Sequence, residues 1–199
     1  VLRNLKKTVI YISILITLSS SLSCNNEQNK DLEEIDSKNT IELINKILNG
    51  ENSFFLSSSC ITEKPEAISS PMVLNKDSYI KDLIKIKDTA HYDMQSKFYN
   101  NFEITADLFP NKKIITEKQF KELQRKAEKG EIRFFEWLDN NCDKGYCSIA
   151  KPIFNETYDL AVVQLGYTCG GLCGSGATLI YENIDGNWKE KEIISLWES

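Results

Sequence analysis

The chain has 199 residues, 41% of them hydrophobic and 10% aromatic, and a formal net charge of −5. This composition is enough for one folded domain with a hydrophobic core, and it excludes a disordered chain. Residues 1–23 hold three basic side chains and no acid, so the remainder has 21 basic and 29 acidic residues. That surplus of negative charge argues against nucleic acid and against anionic lipid surfaces as partners.

The first 24 residues predict a secretory targeting segment. A basic start is followed by an apolar run over residues 9–18, then by small or apolar residues up to Cys24. The basic start consists of Arg3, Lys6 and Lys7. Because a membrane-spanning helix needs about 20 apolar residues, this short run favours a cleaved signal peptide over residues 1–23.

The segment Ser21-Leu22-Ser23-Cys24 resembles the lipobox of bacterial lipoproteins. The resemblance implies cleavage before Cys24 and attachment of diacylglycerol to its thiol, which would anchor the chain in a lipid bilayer. The segment departs from the usual lipobox at Ser21, where leucine is common, and an ordinary secretory signal is the alternative. Asn25 follows the cysteine in place of the aspartate that marks inner-membrane retention in some bacteria, which favours the outer membrane.

Residues 25–37 are polar, so residues 24–38 are expected to form the lipidated cysteine and a flexible tether. A single globular domain is then expected over residues 39–199, with a helical part over 39–140. Its first predicted helix covers residues 39–49, with Asn39 as N-cap and Gly50 after its end. A second helix begins near Asp77 and continues or restarts through Phe98, a third is capped by Thr116, and a fourth covers residues 132–138. Short strands are predicted over residues 53–56 and 102–106, and a loop over residues 60–72.

The C-terminal part predicts strands over residues 146–154, 159–168, 177–184 and 187–197. Asp185-Gly186 between the last two is a strong signal for a tight hairpin, since both turn positions need a positive φ. Residues 170–176 are expected to form a loop. The predicted fold class is therefore α+β, with N-terminal helices packed on a four-stranded antiparallel meander over residues 146–199.

That loop belongs to the segment Cys169-Gly170-Gly171-Leu172-Cys173-Gly174-Ser175-Gly176. It lacks the Lys-Ser/Thr of a phosphate loop, the nucleophile elbow of a serine hydrolase and the C-x-x-C of thioredoxin-like proteins. Cys142, Cys147, Cys169 and Cys173 approach zinc-ribbon spacing, but an oxidising compartment favours disulfides over zinc. We therefore expect no cofactor and no metal.

The preferred interpretation of these cysteines is two local disulfides. One would join Cys169 to Cys173 and the other Cys142 to Cys147, with Cys60 left as a free thiol. Spacing alone does not decide among the possible pairings.

A second cluster comprises Asp88, His91, Asp93 and Gln95. Asp and His at helical spacing can form an acid–base pair or ligate a metal, although a solvated helix face is the more common role. His91 is the single histidine of the chain, so a thiol nucleophile at Cys173 would have to use it as its base.

From Lys151 onward the sequence resembles the C-terminal segment of a recurring set of uncharacterised small lipoproteins of Gram-negative bacteria. The shared features, which cover about a quarter of the chain, are Pro152-x-Phe154-Asn155, Ala161-x-Val163, the glycine run 170–176, Gly186-x-Trp188-Lys189 and Trp197-x-Ser199. The resemblance implies a lipoprotein and no particular activity.

We therefore expect a membrane-anchored envelope lipoprotein that is a non-catalytic binding or structural module. Its partner would be another envelope protein, a toxin or a glycan. The alternative is an extracytoplasmic hydrolase or thiol-dependent enzyme that uses the Gly/Cys-rich loop or His91.

Overall fold

A computed structural model of the chain describes residues 30–65, 68 and 76–199. The chain divides into two units, Val1–Lys38 and Asn39–Ser199. The described part of the first unit, residues 30–38, is helical and belongs to helix α1, which covers residues 30–48. These residues were expected to form a tether, and the predicted helix start at Asn39 is wrong. Five of the nine residues 30–38 are Glu, Lys or Leu, which favour helix.

The described residues of the second unit contain four further helices, one 3-10 helix and seven strands. The helices are α2 (Lys76–Leu83), α3 (Thr89–Asn101), α4 (Glu117–Glu128) and α5 (Phe134–Asn141), and the 3-10 helix is Glu51–Leu56. The strands are β1 (Cys60–Thr62), β2 (Lys113–Ile115), β3 (Tyr146–Ile149), β4 (Ile153–Phe154), β5 (Leu160–Gly170), β6 (Cys173–Ile184) and β7 (Asn187–Glu198).

The strands form one sheet in the order β2-β1-β3-β5-β6-β7, with β4 also paired to β5. Strand β1 runs parallel to β2 and β3, whereas the other pairs are antiparallel. The α+β class is confirmed, but the four-stranded meander is not, because the sheet has seven strands and a parallel edge. The predicted strand over residues 146–154 is two strands, interrupted at residues 150–152 where Pro152 has no N–H to donate.

Three other local predictions are corrected by the structure. Residues 53–56 belong to the 3-10 helix, residues 102–105 have no strand pairing, and β1 lies within the predicted loop. β1 and β2 have three residues each, too few for an alternating pattern to be recognised in a sequence.

The core lies on both faces of the sheet. On one face, Leu43 and Ile44 of α1 and Phe55 of the 3-10 helix pack against Val163 and Leu179. On the opposite face a second cluster joins α2 and α3 to the sheet, and includes Ile80, Ile84, Tyr92, Val162 and Ile180. Strand β5 is buried on both faces, which explains its continuous apolar run.

Helices α4 and α5 cover the β1–β2–β3 end of the sheet, where Ile115 and Leu138 are fully buried. Helix α4 begins with the predicted capping box of Thr116 and Gln119. The predicted β6–β7 hairpin is also confirmed, with φ of 53° at Asp185 and 80° at Gly186.

Candidate functional site

The predicted lipid-attachment residue, Cys24, and the signal segment lie outside the described residues. Lipidation of Cys24 therefore stays a prediction. Among the residues that the structure does describe, no helix combines the length and apolarity needed to cross a bilayer.

The Gly/Cys-rich segment is the tip of the β5–β6 hairpin and not a wide loop. Cys169 is bonded to Cys173, as predicted, with 5.1 Å between their Cα atoms. Strand β6 begins at Cys173, so the turn between the strands is only Gly171-Leu172. Because both sulfurs are in the disulfide, neither is a nucleophile here, and the proposed pair of Cys173 with His91 is not formed.

The glycines of β6 make room for the side chain of Trp197. A Cβ atom added at Gly176 would lie 2.3 Å from the indole nitrogen of Trp197, and one added at Gly174 would lie 3.3 Å from the same ring. The backbone N–H of Ser199 donates to the carbonyl of Gly174 at 2.9 Å. The glycines thus serve the packing of the end of β7 on β6.

The second disulfide joins Cys60 to Cys142, whose Cα atoms are 5.4 Å apart. The predicted pairing of Cys142 with Cys147 is wrong, and Cys147, not Cys60, is the buried thiol. Side-chain alternation along β3 explains this. Cys60 pairs in the ladder with Tyr146, and both belong to the cluster covered by α5, which carries Cys142. Cys147 points to the other face of the sheet, into the core beneath α1.

The Cys147 thiol has low reactivity in this position. Its sulfur is fully buried and donates to the carbonyl of Cys60 at 3.2 Å. Burial raises its pKa to about 11, so at neutral pH the reactive thiolate is scarce.

The residues of the predicted His91 cluster stabilise the fold. Asp88 is the N-cap of α3 and accepts a hydrogen bond from the N–H of Ala90 at 2.8 Å. His91 Nε2 lies 3.0 Å from the carbonyl oxygen of Phe154. These contacts attach α3 to the sheet and leave Asp93 on the exposed side of the helix.

Gln95 connects α3 to the sheet by two hydrogen bonds. Its side chain is fully buried, accepts from the N–H of Phe154 at 3.1 Å and donates to the hydroxyl of Tyr158 at 3.1 Å. Within the described ranges, no group of three or more His, Cys, Asp or Glu side chains is arranged to hold a metal ion. The predicted His91 cluster therefore has a structural role in this fold.

A polar cleft of about 390 Å³ lies between the C-terminal end of α1, the 3-10 helix and the β6–β7 hairpin. We call it the polar cleft. Its lining consists of Lys46, Gly50, Glu51, Asn52, Tyr181, Lys189 and Glu190. All of these residues belong to the second unit.

The base of the polar cleft is a buried hydrogen-bonded group. Asn52 and Tyr181 are only 9% and 3% exposed. The Asn52 amide donates to the Tyr181 hydroxyl at 3.3 Å and to the carboxylate of Glu190. One amide thus connects the 3-10 helix to both strands of the hairpin.

Several polar groups of the cleft have no partner in the described part of the chain. They are the O–H of Tyr181, the amide oxygen of Asn52, the ammonium groups of Lys46 and Lys189, and the carboxylate of Glu51. Lys46, Glu51 and Lys189 are exposed to solvent, whereas the open atoms of Asn52 and Tyr181 belong to buried side chains at the base of the cleft.

The phenol of Tyr181 is a hydrogen-bond donor at neutral pH. Burial raises its pKa, and the negative charge of Glu190 raises it further, whereas the hydrogen bond from Asn52 acts in the opposite direction. With two lysines and two glutamates, the lining as a whole carries no net formal charge.

A second cavity of about 250 Å³ lies beneath α4, with Ile115, Phe120 and Tyr146 in its lining. Its two lysines are already paired, Lys64 with Glu103 at 2.8 Å and Lys121 with Glu117 at 2.5 Å. This cavity is smaller than the ~300 Å³ at which most small-molecule sites begin, and its lysines are already paired, so we take the polar cleft as the candidate site.

Comparison with known proteins finds no matching family model, no matching curated protein and no matching solved structure. The polar cleft is also what the sequence alone did not indicate. Asn52 lies 129 residues from Tyr181 and 138 from Glu190, and no motif connects them. The sequence does predict one part of the cleft. The two-residue turn at Asp185-Gly186 sets a register in which Tyr181 lies opposite Glu190.

Proposed function

We propose that this chain is a lipid-anchored protein of the cell envelope whose folded domain binds a ligand without transforming it. The lipid would be carried by Cys24, at the end of the signal segment, with the outer membrane favoured by Asn25. The Cys60–Cys142 disulfide supports an extracytoplasmic location, since disulfides form and persist in oxidising compartments.

The observation that carries the binding function is the polar cleft with its open donors and acceptors. Asn52 and Tyr181 are fixed at its base and keep one acceptor and one donor directed at no described residue. The volume of the cleft lies within the range of small-molecule sites, and the groups at its base are held in place by their own hydrogen bonds, which lowers the entropy lost on binding.

The alternative, a hydrolase or thiol-dependent enzyme, receives less support from the geometry. Its proposed nucleophile, Cys173, is in a disulfide, and its proposed base, His91, is bound to a backbone carbonyl. Both roles are structural in this fold.

The anchor is tested by metabolic labelling with an alkyne-bearing fatty acid in a bacterial host that processes lipoproteins. We expect the parent chain to take up label and to sediment with membranes, and Cys24→Ala to do neither. A Cys24→Ala chain that is still labelled would show that the lipid is elsewhere. Cys147→Ala is the matched control, because it removes a different cysteine and is expected to leave labelling unchanged.

The binding function is tested separately, by photo-crosslinking in intact cells. A benzophenone amino acid at position 189 places the reactive group on the wall of the polar cleft, and the same substitution at Lys118 places it on the exposed side of α4. We expect adducts of defined mass from position 189 and none of that mass from position 118. Equal adducts from both positions, or none from position 189, would refute a binding role for the cleft.

A further inference from the structure

We propose that the polar cleft binds a neutral, hydroxyl-rich ligand, that is, a saccharide. This inference rests on the binding function proposed above and adds the chemical class of the ligand. It depends on how the charges, the donors and the acceptors are distributed around the cleft.

The distribution of charge argues against a charged ligand. The helical wall carries Lys46 and Glu51, and the strand wall carries Lys189 and Glu190. An anion would meet a carboxylate on each wall, and a cation would meet an ammonium on each wall. A zwitterion would need one wall of each sign, whereas both walls here are mixed.

Hydroxyl groups match such a lining because each one both donates and accepts a hydrogen bond. A hydroxyl can accept from Lys46 or Lys189 and donate to Glu51 or to the remaining acceptor positions of Glu190. Hydrogen bonds to charged side chains are the stronger kind, so a neutral polyol gains from all four charges without facing repulsion.

The base of the cleft presents a complementary pair for one hydroxyl. No described residue accepts from the O–H of Tyr181 or donates to the amide oxygen of Asn52, and the two side chains are held together by their 3.3 Å hydrogen bond. A ligand hydroxyl placed there accepts from Tyr181 and donates to Asn52. A ligand without that hydroxyl would make neither of these hydrogen bonds, so the site favours ligands that carry it.

The test uses the full chain, purified from membranes and reconstituted in phospholipid nanodiscs. Isothermal titration calorimetry and saturation-transfer NMR measure binding of maltotriose and of triacetylchitotriose as neutral probes. Acetate and tetramethylammonium ions are the charged probes. We expect at least one trisaccharide to bind and both ions to bind at least tenfold more weakly.

Two variants locate the binding in the cleft. Tyr181→Phe removes only the hydroxyl, and Asn52→Ala removes the amide; each is expected to weaken trisaccharide binding about tenfold, the value of one hydrogen bond of roughly 1.4 kcal/mol. Lys191→Ala is the matched control, because Lys191 lies next to Glu190 on β7 but is not part of the cleft lining and pairs with Glu182. It is expected to bind as the parent does. If Asn52→Ala does not fold, the isosteric Tyr181→Phe still decides the matter.

The saccharide proposal is overturned if neither trisaccharide binds, if Tyr181→Phe binds as tightly as the parent, or if an ion binds as tightly as the trisaccharides. The photo-crosslinking experiment separates these failures from a failure of the binding function. Adducts at position 189 without saccharide binding would show that the cleft binds another class of ligand. Loss of those adducts would refute the binding function itself.

Discussion

Removal of the Cys60–Cys142 disulfide is expected to destabilise the protein more than removal of the Cys169–Cys173 disulfide. The first bond closes a loop with a sequence separation of 82, the second one of 4. If a disulfide acts by restricting the unfolded chain, the loop lengths correspond to about 4.5 and about 2 kcal/mol. The double variant Cys60→Ala/Cys142→Ala should therefore lose about 2.5 kcal/mol more than Cys169→Ala/Cys173→Ala.

Differences in packing add to the difference in stability expected from loop length. Cys60 and Cys142 are 0% and 2% exposed, so alanine at both positions also leaves a cavity in the cluster beneath α5. Cys173 lies at an exposed hairpin tip, where the loss of sulfur leaves no comparable cavity.

The measurement is equilibrium urea unfolding followed by tryptophan fluorescence, since Trp188 is buried and will report exposure of the core. Cys147→Ala is the control for loss of a buried sulfur without loss of a bond, and should cost about 1 kcal/mol. It should also lower the number of titratable thiols in the denatured protein by one. Equal losses for the two double variants would refute the loop-length argument, and an unchanged thiol number in Cys147→Ala would refute the cysteine pairing.

Three further outcomes follow from the same structure. Gly176→Ala should lower the free energy of unfolding by about 1 to 3 kcal/mol and change the tryptophan emission, because its Cβ would lie 2.3 Å from the indole of Trp197. Gly171→Ala, whose Cβ would lie 3.4 Å from its nearest neighbour, should have little effect on either quantity. Thr116→Ala should lower the unfolding free energy by about 1 kcal/mol through loss of the α4 cap, measured by the same urea titration; an unchanged value would contradict the capping role. The pKa of Cys147 is raised from 9.0 to about 11 in the folded protein, so the thiol favours the folded state below pH 9. That contribution should be lost as the pH rises from 9 to 11, making the parent more pH-sensitive there than Cys147→Ala; parallel profiles would contradict it.

The parts of the fold that the sequence predicts well are those decided by residues close together in the chain. The capping box of α4 involves two side chains three positions apart, and the β6–β7 turn needs only Asp185 and Gly186. Each has a local physical cause that no distant contact overrides. The same holds for the Cys169–Cys173 disulfide, whose partners are only four positions apart at the tip of the β5–β6 hairpin.

The parts that the sequence does not predict depend on contacts between distant segments. Strands β1 and β2 have three residues each and exist because β1 pairs in parallel with β2 and β3. The pairing of Cys60 with Cys142 depends on which face of β3 is covered by α5. A sequence reading that favours short loops for the cysteines cannot take that face into account, and so it pairs Cys142 with the wrong partner.

The same distinction applies to the candidate site, and it explains why the conspicuous motif is not the site. The Gly/Cys-rich segment stands out in the sequence because a tight turn and a close approach to Trp197 require unusual residues. The polar cleft is built from residues of ordinary types that lie far apart in the sequence, so no motif indicates it. In the free protein the Tyr181 hydroxyl accepts one long hydrogen bond from Asn52 and donates none to the described residues. Phenylalanine at this position would fill the same space, so Tyr181→Phe is expected to change the unfolding free energy by less than about 1 kcal/mol. That result would show that the hydroxyl contributes little to the fold and would favour the proposed role in ligand binding, whereas a loss well above ~1 kcal/mol would assign the hydroxyl to the stability of the fold.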